Sequence, residues 1–285
     1  MQALTNRTIV SLRAKPSDTA SLTDEVLYGM PVEILKTEEV TTDGSHSETW
    51  CLIRTHYRYK GYCKAEELLT GERTEQFQSS GLKVIMQPYA DILSEPRVQG
   101  ICMQSITRGG RVRFIENVEV TDEDSKGWVK VELVDGRCGY TKEKYLGTLF
   151  QSICSEKEEE FRKQVVETAK LYLGTQYRWG GKSPLGIDCS GLASISYMLC
   201  GVLIYRDADL RQGYPVREIS FEDKKPGDLL YFPGHIAMYI GDGLYIHSTS
   251  KNGSDGVVIN SLDPTDARYR DDLPGKIIYT GSIFG

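Results

Sequence analysis

No apolar run approaches the roughly 18 residues that a membrane-crossing helix requires, so no membrane partner is expected. Positive charge is not in excess: Lys+Arg 34 against Asp+Glu 40 leaves −6, which disfavours a nucleic-acid-binding surface. The seven cysteines, at 51, 63, 102, 138, 154, 189 and 200, contain no CxxC pair and are odd in number, so neither a structural zinc site nor a complete disulfide framework fits. Histidine is scarce, with four in all. The opening MQALTNRTIV has neither a charged n-region nor an apolar h-region, which reads as a cytoplasmic protein with reduced thiols. What is present is an ordinary globular composition, 40% hydrophobic and 26% charged over 285 residues. At about 150 residues per domain, that length suggests roughly two domains.

An internal repeat refines the count. Trp50, Gly61, Tyr62 and Leu68 recur 78 residues later as Trp128, Gly139, Tyr140 and Leu146. Upstream of each Trp lies a related stretch, Gly29-Met-Pro-Val-Glu-Ile-Leu in one copy and Gly110-Arg-Val-Arg-Phe-Ile in the other. Short alternating runs bounded by Gly, Asp and Ser predict two small antiparallel barrels, 1–75 and 76–150, ahead of a third domain over 151–285. The repeated pattern resembles bacterial SH3-like domains.

Beyond Leu149, Phe161, Val165, Val166, Ala169, Leu171 and Leu173 predict an amphipathic helix that ends at Gly174. A second helix is predicted from Cys189 to Cys200, with Gly201 as its stop. Strands follow at Asp228–Phe232, His235–Ile240 and Leu244–Ser248, the last two joined through Gly241-Asp-Gly243. Helices followed by strands predict an α+β domain.

Cys189 stands at the start of the second helix, where the dipole and free N–H groups are expected to lower a thiol pKa and favour a nucleophilic thiolate. Two of the four histidines, His235 and His247, lie on the hairpin just after it. A three-residue loop sets residue 237 opposite 247 and puts both imidazoles on one face; a two-residue loop puts them on opposite faces. On one face, Cys189, His235 and His247 supply nucleophile, base and orienting group for thiol acyl transfer. The oxyanion would meet the Cys189 N–H and Tyr177. Tight metal spacings such as HExxH are absent, so neither a metal nor another cofactor is expected.

Five ordered motifs carry a family resemblance. Gly174-Thr-Gln-Tyr177-Arg-Trp179-Gly-Gly181, Asp188-Cys189-Ser190-Gly191-Leu192, Lys225-Pro-Gly-Asp228-Leu, Gly234-His235-Ile-Ala-Met-Tyr-Ile-Gly241 and Tyr245-Ile-His247-Ser resemble the NlpC/p60 cysteine peptidases. The resemblance implies a papain-like fold with Cys189 as nucleophile, His235 as base, His247 as third residue and Tyr177 on the oxyanion side. Asp188 and Ser190 would touch substrate. The implied reaction is hydrolysis of murein stem peptides between γ-D-glutamate and a diamino acid.

Two SH3-like domains ahead of such a domain resemble a subgroup that acts on free muropeptides and releases L-Ala-γ-D-Glu. In that subgroup the first barrel recognises the free L-Ala amine. Glu25 and Tyr59 have no equivalents in the second copy, where Arg137 stands at the Tyr59 position, and they are the candidates for that task. Their bland reading is an exposed Glu and an ordinary barrel Tyr. Arg206 and Asp207 resemble the subgroup's Arg-Asp, whose Asp contacts substrate, although Tyr205 replaces Pro and the spacing to Gln212 is lengthened. The implied partner is a murein tri- or tetrapeptide, L-Ala-γ-D-Glu-diamino acid, cut by a monomer in cell-wall recycling. The alternatives are a secreted hydrolase acting on polymeric wall and a wall-binding protein without catalysis.

Other features read as structural. His46 and His56 are expected to be solvated, the six remaining cysteines to be small buried hydrophobes, and the run Glu156–Glu160 to be a solvated helix start. Seventeen Tyr against seven Phe suits a cleft that grips a polar peptide.

Overall fold

The computed structural model describes residues 1–42, 46–79, 81–119, 123, 126–149 and 157–284. It divides into two compact units, Met1–Leu149 and Phe150–Gly285.

In the first unit, one copy of the repeat forms β1 (Gln2–Thr5), β2 (Ile9–Arg13), β3 (Leu22–Leu27), β4 (Pro31–Thr42), β5 (His46–Thr55), β6 (Lys60–Lys64) and β7 (Leu68–Thr70). After α1 (Glu72–Gln78), the other forms β8 (Leu82–Ile85), β9 (Tyr89–Leu93), β10 (Cys102–Thr107), β11 (Arg111–Asn117), β12 (Trp128–Glu132), β13 (Cys138–Lys142) and β14 (Leu146–Thr148). The sheet orders, β3-β2-β6-β5-β4-β1-β7 and β10-β9-β13-β12-β11-β8-β14, trace one path twice. The repeated residues take matching places. Trp50 opposes Lys64 and Trp128 opposes Lys142, with each ammonium near the indole, 5.6 and 4.2 Å from the ring centroid. Gly61 and Gly139 recur because a Cβ would come within 2.8 Å of Leu12 and 2.6 Å of Ile92, where each sheet curls back on itself.

The boundary expected at 75/76 falls inside α1. Phe77 of that helix is buried with Leu4 and Tyr28 of the first copy and Ile85, Ile92 and Val112 of the second. The Tyr28 hydroxyl accepts the Val134 N–H at 3.1 Å. The core of the second barrel therefore takes in residues of the first. Cys51 and Cys63 are buried, as is Cys200 of the second unit, whereas Cys102 and Cys138 are exposed, contrary to expectation. Both sit at the outward-facing start of their strands, β10 and β13. Cys154 and Glu156 lie outside the described residues, as does the His46 side chain. His56 is half-buried rather than solvated, with its Nε2 3.1 Å from Arg111 Nη2.

The second unit contains α2 (Glu158–Lys170), the short pair β15 (Lys182–Ser183) and β16 (Gly186–Ile187), and α3 (Cys189–Leu199). Its sheet comprises β17 (Arg217–Ile219), β18 (Leu229–Phe232), β19 (His235–Gly241), β20 (Leu244–Thr249), β21 (Gly256–Ser261) and β22 (Tyr279–Ser282), ordered β17-β22-β18-β19-β20-β21. Phe161, Val165, Val166 and Ala169 form the buried face of α2. The helix stops at Lys170, so its periodicity no longer applies to Leu171 and Leu173, which are exposed while Tyr172 enters the core. Every residue of α3 is buried, which accounts for its run of small and apolar side chains.

Candidate active site

Asp188 caps α3. Its backbone is extended, with φ −92 and ψ 177, and its Oδ1 accepts the Gly191 N–H at 2.5 Å. Oδ2 accepts the Gly180 N–H at 2.8 Å. Arg206 then donates to both oxygens, Nη1 to Oδ1 at 3.0 Å and Nη2 to Oδ2 at 3.2 Å. Only 1% exposed, Arg206 also donates to Ser190 Oγ at 2.8 Å and to the Gly181 carbonyl at 3.3 Å. Asp188, Ser190 and Arg206 thus brace the helix turn that carries Cys189. Asp207, next in the chain, is half-buried.

Cys189 is 8% exposed, and the backbone N–H groups of Ile236 and Ser190 lie close enough to favour its thiolate. The first of these brings the start of β19, and with it His235, to the thiol. Burial, followed by the Asp188 carboxylate, pushes the thiol up to about 11. That reverses the expected direction, because removing a thiolate from water costs more here than the helix start returns. Tyr177 forms a bridge to Ile187, and burial with the neighbouring Cys189 and Asp188 charges pushes its phenol up to about 12. The hydroxyl therefore stays protonated and able to donate.

The hairpin reaches its parity by a route the sequence reading did not foresee. Met238 opposes Ile246, Tyr239 opposes Tyr245 and Gly241 opposes Leu244, so Ile240 is an extra residue. The turn itself has two residues, Asp242 and Gly243, both left-handed at φ 53 and φ 71. A two-residue turn alone splits the imidazoles; the bulge supplies the missing residue. His235 and His247 consequently share a face, with His235 Nε2 2.7 Å from His247 Nδ1.

Asn260 on β21 completes the chain of contacts. Its Oδ1 lies 2.9 Å from His247 Nε2, and its Nδ2 donates to the Arg268 carbonyl at 2.7 Å, which turns the amide oxygen toward the ring. An oxygen there requires a proton on His247 Nε2. His247 Nδ1 is then an acceptor, His235 Nε2 carries the proton between the rings, and His235 Nδ1 is left with a lone pair. Burial, assisted by the Arg270 charge, pushes His235 down to about 4, and burial with the adjacent His235 lowers His247 further. Arg270 itself is held by Asp272 at 2.9 and 2.7 Å and by Thr249 at 3.1 Å. Sequence reasoning missed Asn260. Its one signal was an amide in the otherwise apolar run Val257-Val-Ile-Asn260.

Glu25 and Tyr59 belong to the first unit. Glu25, on β3 opposite Ser11, is buried at 2% exposure, which removes the bland reading of an exposed carboxylate. Ser105, opposite Asp91, occupies the same place in the second copy. Tyr59 is half-buried in the β5–β6 turn, with its N–H on Thr55 Oγ1 at 3.0 Å. Among the described residues, no group of three His, Cys, Asp or Glu is placed to hold a metal ion.

The NlpC/P60 family model matches residues 174–269, and the bacterial SH3 domain model matches residues 10–68. Dipeptidyl-peptidase 6 of Lysinibacillus sphaericus is 41% identical over 285 residues, which is 100% of both chains. Gamma-D-glutamyl-L-lysine dipeptidyl-peptidase of Bacillus subtilis is 32% identical over 117 residues, 38% of each chain. The crystal structure of an NlpC/P60 family protein from Bacillus cereus shares the fold, with a TM-score of 0.76, 18% identity and 100% coverage of both chains.

Proposed function

This chain is a cysteine peptidase belonging to the NlpC/P60 family, and from that premise we propose that it hydrolyses the bond between γ-D-glutamate and a diamino acid in murein peptides with a free N-terminus. The reading is carried by the contacts from His235 through His247 to Asn260, with His235 opening a strand whose Ile236 N–H lies near the Cys189 sulfur. The full-length relative is named a dipeptidyl-peptidase, and release of a dipeptide requires an unblocked N-terminus, which supports a free peptide as substrate.

With thiol and imidazole both neutral at rest, His235 acts as general base. Its Nδ1 takes the Cys189 proton as sulfur adds to the γ-carbonyl carbon. The oxyanion is met by the Cys189 N–H, which lies in the first turn of α3 and has no partner within the helix, and by the Tyr177 hydroxyl. The C–N bond breaks as His235 returns its proton to the departing diamino acid amine. Water, deprotonated by the same Nδ1, then releases L-Ala-γ-D-Glu and restores the thiol. Asp188, Ser190 and Arg206 position Cys189, and Asp207 faces the substrate. Glu25 and Tyr59 recognise the L-Ala ammonium, a task for which a buried carboxylate suits. Cell-wall recycling in the cytoplasm is the role this substrate fits.

The test compares L-Ala-γ-D-Glu-diaminopimelate with intact sacculi. Dipeptide released only from the free peptide supports the reading. Efficient solubilisation of sacculi overturns it in favour of a wall hydrolase.

A further inference from the structure

Ser248 follows His247 in β20 and is fully buried. Successive side chains of a strand leave opposite faces, so the imidazole takes the His235 contact while the hydroxyl turns to the other side. There Ser248 Oγ donates to the Ile187 carbonyl at 2.7 Å. Ile187 is buried as well and ends β16, just ahead of Asp188 and Cys189. The same carbonyl accepts the Arg178 N–H at 3.2 Å, and the Ile187 N–H donates to the Gln176 carbonyl at 3.1 Å, so the backbone on both sides of Tyr177 is held by Ile187. One carbonyl oxygen thus joins three stretches of chain: the strand of His247, the turn of Cys189 and the segment of Tyr177. Val257, opposite Ser248 on β21, adds a second tie to that segment, its N–H donating to the Thr175 carbonyl at 2.8 Å and its carbonyl accepting the Gly174 N–H at 3.0 Å.

Thiol acyl transfer requires sulfur, imidazole and oxyanion donor to keep their mutual distances to a fraction of an ångström, and here each comes from a different element. We propose that Ser248 is a positioning residue, whose hydroxyl fixes the strand of the imidazole pair against the turn of Cys189 and the segment of Tyr177. The proposal rests on the roles given to those residues under Proposed function. Ser248 is sealed from the substrate and acts through Ile187. Removing its hydroxyl leaves the Ile187 carbonyl with the Arg178 N–H, so no buried acceptor is orphaned and the cost to stability is small. What is lost is the tie between the nucleophile and its base.

The test compares Ser248→Ala with the parent chain, both full length. On L-Ala-γ-D-Glu-diaminopimelate, kcat is expected to fall about 10- to 100-fold while KM stays within about twofold, because the groups that touch substrate are unchanged. A second measurement needs no murein. The rate at which iodoacetamide labels Cys189 at about pH 6, followed on its peptide by mass spectrometry, reports transfer of the thiol proton to His235. Labelling should slow about 10-fold in Ser248→Ala and at least as much in His235→Ala. His235→Ala labelled as fast as the parent would overturn His235 as the base, and with it the reading on which this one rests. A slowed His235→Ala beside a Ser248→Ala that labels or turns over at the parent rate would overturn the role of Ser248 alone. So would a raised KM with kcat intact, or a Ser248→Ala chain that does not fold, since the hydroxyl would then hold the domain and not the site.

Discussion

His235 Nε2 lies 2.7 Å from His247 Nδ1, so each ring dictates which nitrogen of the other carries a proton. The direction of that dictation is set one residue further on, by the Asn260 amide. Replacing Asn260 by Ala frees His247 to adopt either tautomer and lowers kcat by about 10- to 100-fold, less than loss of a direct member of the triad. Asn260→Asp still accepts the His247 proton and restores most of kcat. Its negative charge favours the protonated imidazoles, so the acid limb of the pH–rate profile moves to higher pH. Identical profiles for Asn260→Asp and the parent chain would remove Asn260 from the relay.

Cys189→Ala leaves α3 capped and buried but without a nucleophile. Turnover of the free peptide is expected to fall by at least about 10⁴-fold, with an unchanged circular dichroism spectrum. Residual turnover near the parent rate would mean another group attacks the carbonyl.

Acid should weaken the second unit before its carboxylates titrate. His235 is held down at about 4 and His247 lower still, against about 6.5 when unfolded. Between pH 6.5 and 4 the unfolded chain binds protons that the folded one refuses, so stability is full above 6.5 and falls as pH drops. Each histidine adds at most roughly 1.4 kcal/mol per pH unit. Urea unfolding at pH 7, 5.5 and 4.5 measures the slope, which His247→Gln should flatten.

Asp188→Ala strips five donors of their acceptor and leaves Arg206 charged and buried. A loss of about 3–5 kcal/mol is expected in denaturant unfolding of this unit. A variant within about 1 kcal/mol of the parent would show that Arg206 finds another partner, and the bracing of α3 would then need a different account.

Deleting Ile240 removes the bulge and returns the hairpin to the parity of its two-residue turn. His235 then faces away from His247, and activity should vanish while the strand signature in circular dichroism persists. Retained activity would show that the turn, rather than the bulge, adjusts the register.

The positions of Cys189, His235 and His247 were legible because each sits at a landmark: a helix start and two strands joined by glycines. The hairpin parity was legible only as a condition, since loop length and bulging compensate one another and no residue announces Ile240 as extra. The repeat was legible through Trp50 and Gly61, which packing fixes in both copies, but the reach of the first copy into the core of the second was not. Leu4 and Tyr28 look like residues of one barrel until the second lies against them. The direction of the Cys189 shift was misread because burial of a helix start cannot be seen in the local sequence. The abundance of tyrosine has a more ordinary destination than a cleft: Tyr28, Tyr57, Tyr172, Tyr197 and Tyr245 are interior side chains.

The reliance of the second barrel on the first bears on how such a protein is inherited. With Phe77 of α1 and Leu4 and Tyr28 of the first copy filling it, the core of the second copy is incomplete without its neighbour. Gene rearrangement that transplanted the second copy alone would deliver an open hydrophobic face to its new host. The second copy can therefore be moved intact only together with the first.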